Sequence, residues 1–284
     1  MTTTDARVAP QQSLSRPEIR RTGLLGQSFT ITRRNLIHIR RMPEMLMDVT
    51  IQPVMFVLLF AYVFGGAIAA DAPAGYKEWL LGGIMGQTIA FASFIVAVGL
   101  TADIDKGIVD RMRSLPIHPG AVLVGRSMSS LIHSSIGILV MSLTGLIVGW
   151  RIRGSLVDAV VAYGLLLLWG FAMIWLGILV GSAMRSVEAV NGVMFTTIFP
   201  LTFLSNAFAP TEPMTPWLRT IAEWNPISSL VQAVRELWGN TGPVPADAAL
   251  PLQHPVLSTL IWTLTLTAVV APLALRTFRN RTQQ

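Results

Sequence analysis

The chain has 284 residues, of which 52% are apolar and only 13% charged, about half the charged share of an ordinary soluble domain. So few charges cannot cover a water-facing surface of that size, so most of the exterior must face something other than water. Cys is absent, which excludes a disulfide framework, Cys-ligated zinc, iron–sulfur clusters and thiol catalysis.

In chain order, residues 1–23 are polar and basic without the apolar run of a signal peptide, and are expected to be a disordered N-terminus. Leu24–Met47 reads as an amphipathic helix, with Leu25, Phe29, Thr32, Leu36 and Ile39 on one face. Arg33, Arg34, Arg40 and Arg41 lie beside that face, the arrangement of a helix resting in a membrane interface, and Pro43 ends or kinks it.

Six stretches without Asp, Glu, Lys or Arg follow: Val49–Ala70, Trp79–Ala102, Ser127–Trp150, Ala159–Met184, Ala189–Thr211 and Ala248–Leu275. A helix crosses the hydrocarbon core in about 20 residues, so each is expected to be a span. The last begins in a Pro-rich run, which moves its helix start to Val256. None shows strand-period alternation, so the fold class is all-α and polytopic rather than an outer-membrane barrel. The glycine pairs Gly82/Gly86, Gly145/Gly149 and Gly177/Gly181 have the spacing that lets helices approach closely, within the bundle or, for one pair, between copies. His133 falls inside the third span, either as a neutral imidazole bonded to a neighbouring helix or as a ligand-contacting or pH-sensitive group.

Between the second and third spans, Ala102–Arg126 mixes Asp103, Asp105 and Asp110 with Lys106, Arg111 and Arg113 before Pro116. This is expected to be a short charged helix offering a handle to another protein, against the plainer reading of a solvated loop. Pro210–Pro255 is too long for a turn. Its apolar residues recur at helical spacing on either side of Asn225-Pro226, giving two short amphipathic helices. Their tryptophans suit the headgroup zone, so they dip into the outer leaflet or cap the bundle.

With the N-terminus inside, 16 of the 21 basic residues fall on the cytoplasmic side, so both termini are expected there. The same scatter along membrane borders excludes nucleic acid as a partner. No H-E-x-x-H, G-x-S-x-G or metal-ligand His cluster is present, so no catalytic or metal residue is expected. Neither Lys77 nor Lys106 can be the lysine of a P-loop, so any ATP-driven work must come from a second polypeptide. Asp71, Asp103, Glu188 and Glu212 sit at span ends rather than inside, which disfavours an ion-coupled carrier.

Four stretches in order carry a family resemblance: Arg33 to Ile68, Asp103 to Arg126, Phe199 to Asn240, and Pro251 to Pro255. The chain resembles the ABC-2 type transporter permeases, most closely those of the daunorubicin-resistance type. The resemblance implies a transmembrane domain over residues 24–275 and a cytoplasmic tail at 276–284. Residues 24–47 would be an elbow helix and 103–116 a coupling helix. Spans would lie near 49–70, 79–102, 127–150, 159–184, 189–209 and 256–275, with two re-entrant helices within 210–255. Asp105, Gly107, Asp110, Arg111, Arg113, Leu115 and Pro116 would contact the ATPase, and Asn225 with Pro226 would break the re-entrant pair.

The implied function is the permease subunit of an exporter moving hydrophobic drug-like or lipid-like substrates out of the cell. The implied partners are a second copy of the chain, two copies of a separate P-loop ATPase carrying ATP and Mg, and membrane lipids. The implied location is the inner (plasma) membrane of a bacterium. The substrate path would follow the two-fold interface, along the first, second and fifth spans. The alternatives are export of a polysaccharide or lipid-linked glycan, an ion-coupled carrier, and a membrane-embedded enzyme or scaffold.

Overall fold

A computed structural model describes residues 23–41, 44–64, 75–108 and 119–281, and every regular element among them is helical. In chain order these are α1 (Leu24–Arg41), α2 (Glu44–Leu58, continued by a π-turn over Leu59–Phe64), α3 (Tyr76–Asp105), α4 (Pro119–Val148) and α5 (Leu156–Ala183). Then come α6 (Val187–Phe203), α7 (Pro216–Trp224), α8 (Pro226–Trp238), α9 (Leu250–Gln253) and α10 (Pro255–Arg281). Four helices, α3, α4, α5 and α10, are long and apolar enough to cross a membrane. Two shorter apolar helices, Thr50–Val63 and Val187–Phe203, occupy the places of the first and fifth expected spans.

Helix starts follow local chemistry. Ser155 and Asp158 form a reciprocal capping box at the start of α5, and Ser186 accepts from the Ala189 amide at the start of α6. Pro216, Pro226 and Pro255 occupy first-turn positions, where a missing N–H costs nothing. The uncharged stretch Ala189–Thr211 is helical only to Phe203. Pro200 weakens its last turns, and the side-chain amide of Asn225 takes the carbonyls of Leu201 (2.6 Å) and Leu204 (2.8 Å), so the chain can leave the helix there.

α3 is the central helix, buried on most sides, and it crosses α5 closely. A Cβ on Gly177 would stand 2.2 Å from the Ser93 carbonyl oxygen, and one on Gly181 would stand 2.6 Å from that of Ala97. Thr101 adds a hydrogen bond to the Gly181 carbonyl at 2.9 Å. Gly82 and Gly86 face Arg235 and Val231 of α8, while Gly145 meets Leu81 and Gly149 turns the chain after α4 at φ +110°. Five of these six glycines thus meet neighbours within the same chain, while an added Cβ on Gly149 would meet nothing within 4 Å. By contrast, α10 leaves Leu257, Ile261, Leu264, Val269 and Leu273 exposed, as a helix facing acyl chains does.

The helix α1 lies against α4 through small groups. Thr32 donates to the Gly125 carbonyl at 3.1 Å, Asn35 donates to the Ser129 hydroxyl at 3.2 Å, and Ile31 is buried. Of the apolar face expected there, Thr32 is buried but Phe29 is exposed, because the contact with α4 selects Ser28, Ile31 and Thr32 instead. The side chains of Leu25, Leu36 and Ile39 lie outside the described residues.

Candidate functional site

A cavity of about 760 Å³ opens between α1, α2, α3, α4 and α6. One wall is aromatic. Residues Phe195, Phe199 and Phe203 recur every fourth position on α6, so they form a column, and each stacks on the next at 4.9 and 4.2 Å between ring centres. The column continues through Phe208 (5.1 Å) to Phe60 (4.9 Å) and Phe56 (6.0 Å), with neighbouring planes within 27° of parallel throughout. Phe195 and Phe203 remain 57% and 43% exposed, so their faces are open to whatever enters.

The lining of the cavity is mostly apolar, but polar groups also reach it: Gln87 of α3, Ser130, His133 and Ser134 of α4, and Gln52 of α2. At one end the α4 residue Arg126 forms an ion pair with Asp103 of α3, and Arg34 of α1 lines the cavity nearby. An apolar stacking surface facing hydrogen-bonding groups can hold an amphipathic molecule by its rings and its polar edge together.

The Asp103–Arg126 pair belongs to an arginine-rich end of the bundle. Two residues on, Asp105 ends α3 and receives Arg281 of α10 at 3.5 Å. Arg281 also donates to the carbonyls of Gly181 (3.0 Å), Ser182 (3.4 Å) and Met184, closing the end of α5. Gly107 follows at φ +66°, a turn that glycine adopts freely. Residues 103–105 thus finish the long helix α3, where the charge pattern suggested the start of a separate one. Asp110, Arg111, Arg113, Leu115 and Pro116 lie outside the described residues, as do Pro43 and the side chains of Arg40 and Arg41. Arg33 and Arg34 are exposed on α1.

The other end is rich in tryptophan. Asn225 caps α8, accepting from the Ile227 amide at 2.8 Å, and Pro226 opens that helix, so the two residues separate α7 from α8. Sequence reasoning missed Arg235 on α8, which is wholly buried. It donates to the carbonyls of Trp79 (2.8 Å), Asn206 (3.0 Å) and Ala207 (3.1 Å), and its guanidinium lies 3.4 Å from the centre of the Trp79 ring. Burial pushes its pKa well below the arginine range. Arg153 reaches Glu78 with two bonds of 2.8 Å, and Trp150 donates to Asn240 at 2.7 Å, tying the α4–α5 loop to α3 and α8. The aromatic column was also missed, although the every-fourth spacing of Phe195, Phe199 and Phe203 could have shown it.

The ABC-2 type transporter family model matches residues 26–237. The chain is similar to DrrB1, a daunorubicin resistance ABC transporter permease of Streptomyces coeruleorubidus: 31% identical over 256 residues, covering 89% of this chain and 87% of that one. It is 24% identical over 260 residues to DrrC, a probable doxorubicin resistance ABC transporter permease of Mycobacterium tuberculosis, covering 88% of each. A putative transport permease, ycf38, of Cyanophora paradoxa is 23% identical over 220 residues, with 76% of each chain covered. With its membrane-length helices, its cavity and these matches, the chain belongs to the ABC-2 type transporter family.

Proposed function

We propose that this chain is the membrane-spanning permease of an ATP-driven exporter that moves hydrophobic, drug-like or lipid-like molecules outward. The observation that carries this reading is the phenylalanine column lining a largely apolar 760 Å³ cavity that also presents Gln52, Gln87, Ser130, His133 and Ser134. That volume suits a drug-sized amphiphile. The relatives named for daunorubicin and doxorubicin resistance support the same substrate class.

In this reading six helices cross the inner membrane of a bacterium with both termini cytoplasmic, and a second copy completes the path beside α6. A separate P-loop ATPase, two copies per assembly, binds ATP and Mg. It would engage the segment that follows α3, where Asp105 and Gly107 lead into Asp110, Arg111, Arg113, Leu115 and Pro116. The elbow residues Arg33, Arg34, Arg40, Arg41 and Pro43 would rest against anionic headgroups. Because Asp103 and Asp105 end the same helix that walls the cavity, motion of the loop reaches the substrate through α3.

The test is ATP-driven, vanadate-sensitive accumulation of a lipophilic dye in inside-out vesicles holding the permease and its ATPase. Truncating two stacked rings, Phe199→Ala with Phe203→Ala, is expected to weaken dye handling about tenfold while assembly persists. Unchanged transport by that variant would remove the cavity from the path. Arg111→Glu with Arg113→Glu is expected to abolish co-purification of the ATPase. Intact assembly together with intact transport would sink the coupling assignment.

A further inference from the structure

Arg235 is a cation that the fold leaves without a counter-ion. Its three hydrogen bonds run to carbonyls, one from each guanidinium nitrogen, so two of its five N–H groups donate to nothing among the described residues. The groups that act on its charge are the Tyr76 phenol, which is neutral, and Glu212, which is exposed and forms no ion pair with it among the described residues. Burying an unpaired cation is costly, and three carbonyl dipoles with one indole face offset only part of that cost.

Beside the guanidinium lies a pocket of about 60 Å³, bounded by α8, the turn after α6 and the segment 241–245. It shares no lining residue with the phenylalanine-lined cavity, and it is far smaller than the roughly 300–1,000 Å³ of a site for a drug-sized molecule. Thr241, Gly242 and Val244 line it, and their amides donate to no group among the described residues. Pro243 and Pro245 keep the segment from using those amides in a helix. Asn206, 4% exposed, lines it as well. Its Oδ1 has no partner, and its amide nitrogen donates to no group among the described residues, so either end of the amide can face the pocket.

We infer that this pocket binds a small monovalent anion of the size of chloride, held by Arg235, the amides of Thr241, Gly242 and Val244, and the side-chain amide of Asn206. Unused donors around a buried cation select an anion. The volume restricts it to a small one, and Arg235 is the one cation in the lining, which sets its charge at minus one. Bound there, the ion ties α8 to the turn after α6 and to the segment 241–245, so it clasps the tryptophan-rich end of the bundle.

Trp79 reports on the site, because its ring lies 3.4 Å from the guanidinium and lines the pocket. The full chain carrying Trp217→Phe, Trp224→Phe and Trp262→Phe keeps Trp79, Trp150, Trp169, Trp175 and Trp238, each at most 8% exposed, and of these Trp79 alone lines the pocket. Purified in detergent, it is titrated with iodide, a heavy-ion quencher, at an ionic strength held constant with gluconate. The expected result is a saturable loss of about a fifth of the emission that chloride reverses, with a denaturation temperature about 5 °C higher in saturating chloride than in gluconate. Arg235 itself is left in place, since the bundle end depends on its bonds. Asn206→Asp instead sets a carboxylate in the pocket as a built-in counter-ion. That variant should hold the chloride-level denaturation temperature in gluconate and lose the saturable quenching. Quenching that is linear in iodide and indifferent to chloride would reduce the effect to collisions at the surface and overturn the proposal. Equal denaturation temperatures in chloride and gluconate would overturn it too, as would saturable quenching that survives Asn206→Asp and so places the ion elsewhere. No ATPase or cargo enters the measurement, so its outcome is independent of the exporter reading.

Discussion

Replacing Arg235 by Met is expected to lower stability by about 3–5 kcal/mol, the largest loss from any single truncation at the tryptophan-rich end. A buried ion pair can often be exchanged for apolar residues without loss, because both partners are removed together. That exchange is closed here. The acceptors are the main-chain carbonyls of Trp79, Asn206 and Ala207, which no substitution removes, so the variant buries three acceptors left without their donor. Lysine does not rescue it. One ammonium cannot reach three carbonyls from the plane of a guanidinium, nor stack on the Trp79 ring in the same way. Both Arg235→Met and Arg235→Lys should therefore reduce the denaturation temperature in detergent, the former by roughly 10 °C. A shift within a degree or two of the native protein would show that the carbonyls find other donors, and that Arg235 is not what joins α3, α8 and the turn after α6.

That residue also shows where sequence reasoning ran out. The long helices were legible because an uncharged run of sufficient length has few alternatives in a membrane, and Asn225-Pro226 was legible because proline and a capping side chain act locally. Arg235 acts at a distance. Its partners lie 28, 29 and 156 positions away in the chain, and nothing in its neighbours Val234 and Glu236 announces them. In a count of basic residues it registers only as a charge on the minority side of the membrane. The cavity was half legible: the aromatic spacing on α6 is local, but its meeting with Phe60 and Phe208 depends on the π-turn after α2 and on the early end of α6. The early end of α6 follows from Pro200 and from contacts made from Asn225, and neither it nor the π-turn is recorded in a hydropathy pattern.

The seam between α3 and α5 gives the second large expected effect, and a glycine elsewhere on α5 supplies its control. At Gly177 the nearest atom to an added Cβ is backbone, the Ser93 carbonyl oxygen at 2.2 Å, so no side-chain rotation relieves the contact and the helices must part. Overpacking of this kind costs about 1–3 kcal/mol in a core, and here it acts on the helix pair that holds the molecule together. At Gly164, on the same helix, nothing stands within 4 Å of the added atom. Gly164→Ala should therefore be neutral or stabilising by up to about 1 kcal/mol, through helix propensity alone. Gly177→Ala carries the same propensity gain, so a net loss there isolates the steric term. The functional consequence follows from the position of the seam. Gly181 sits one turn further along, where its carbonyl accepts from both Thr101 and Arg281 beside the end of α3. Parting the helices at Gly177 shifts that end relative to α10, so Gly177→Ala should impair transport more than its stability loss explains. Gly177→Ala that keeps both full stability and full transport would mean that the crossing is looser than its geometry, and that α3 and α5 slide rather than move as one body.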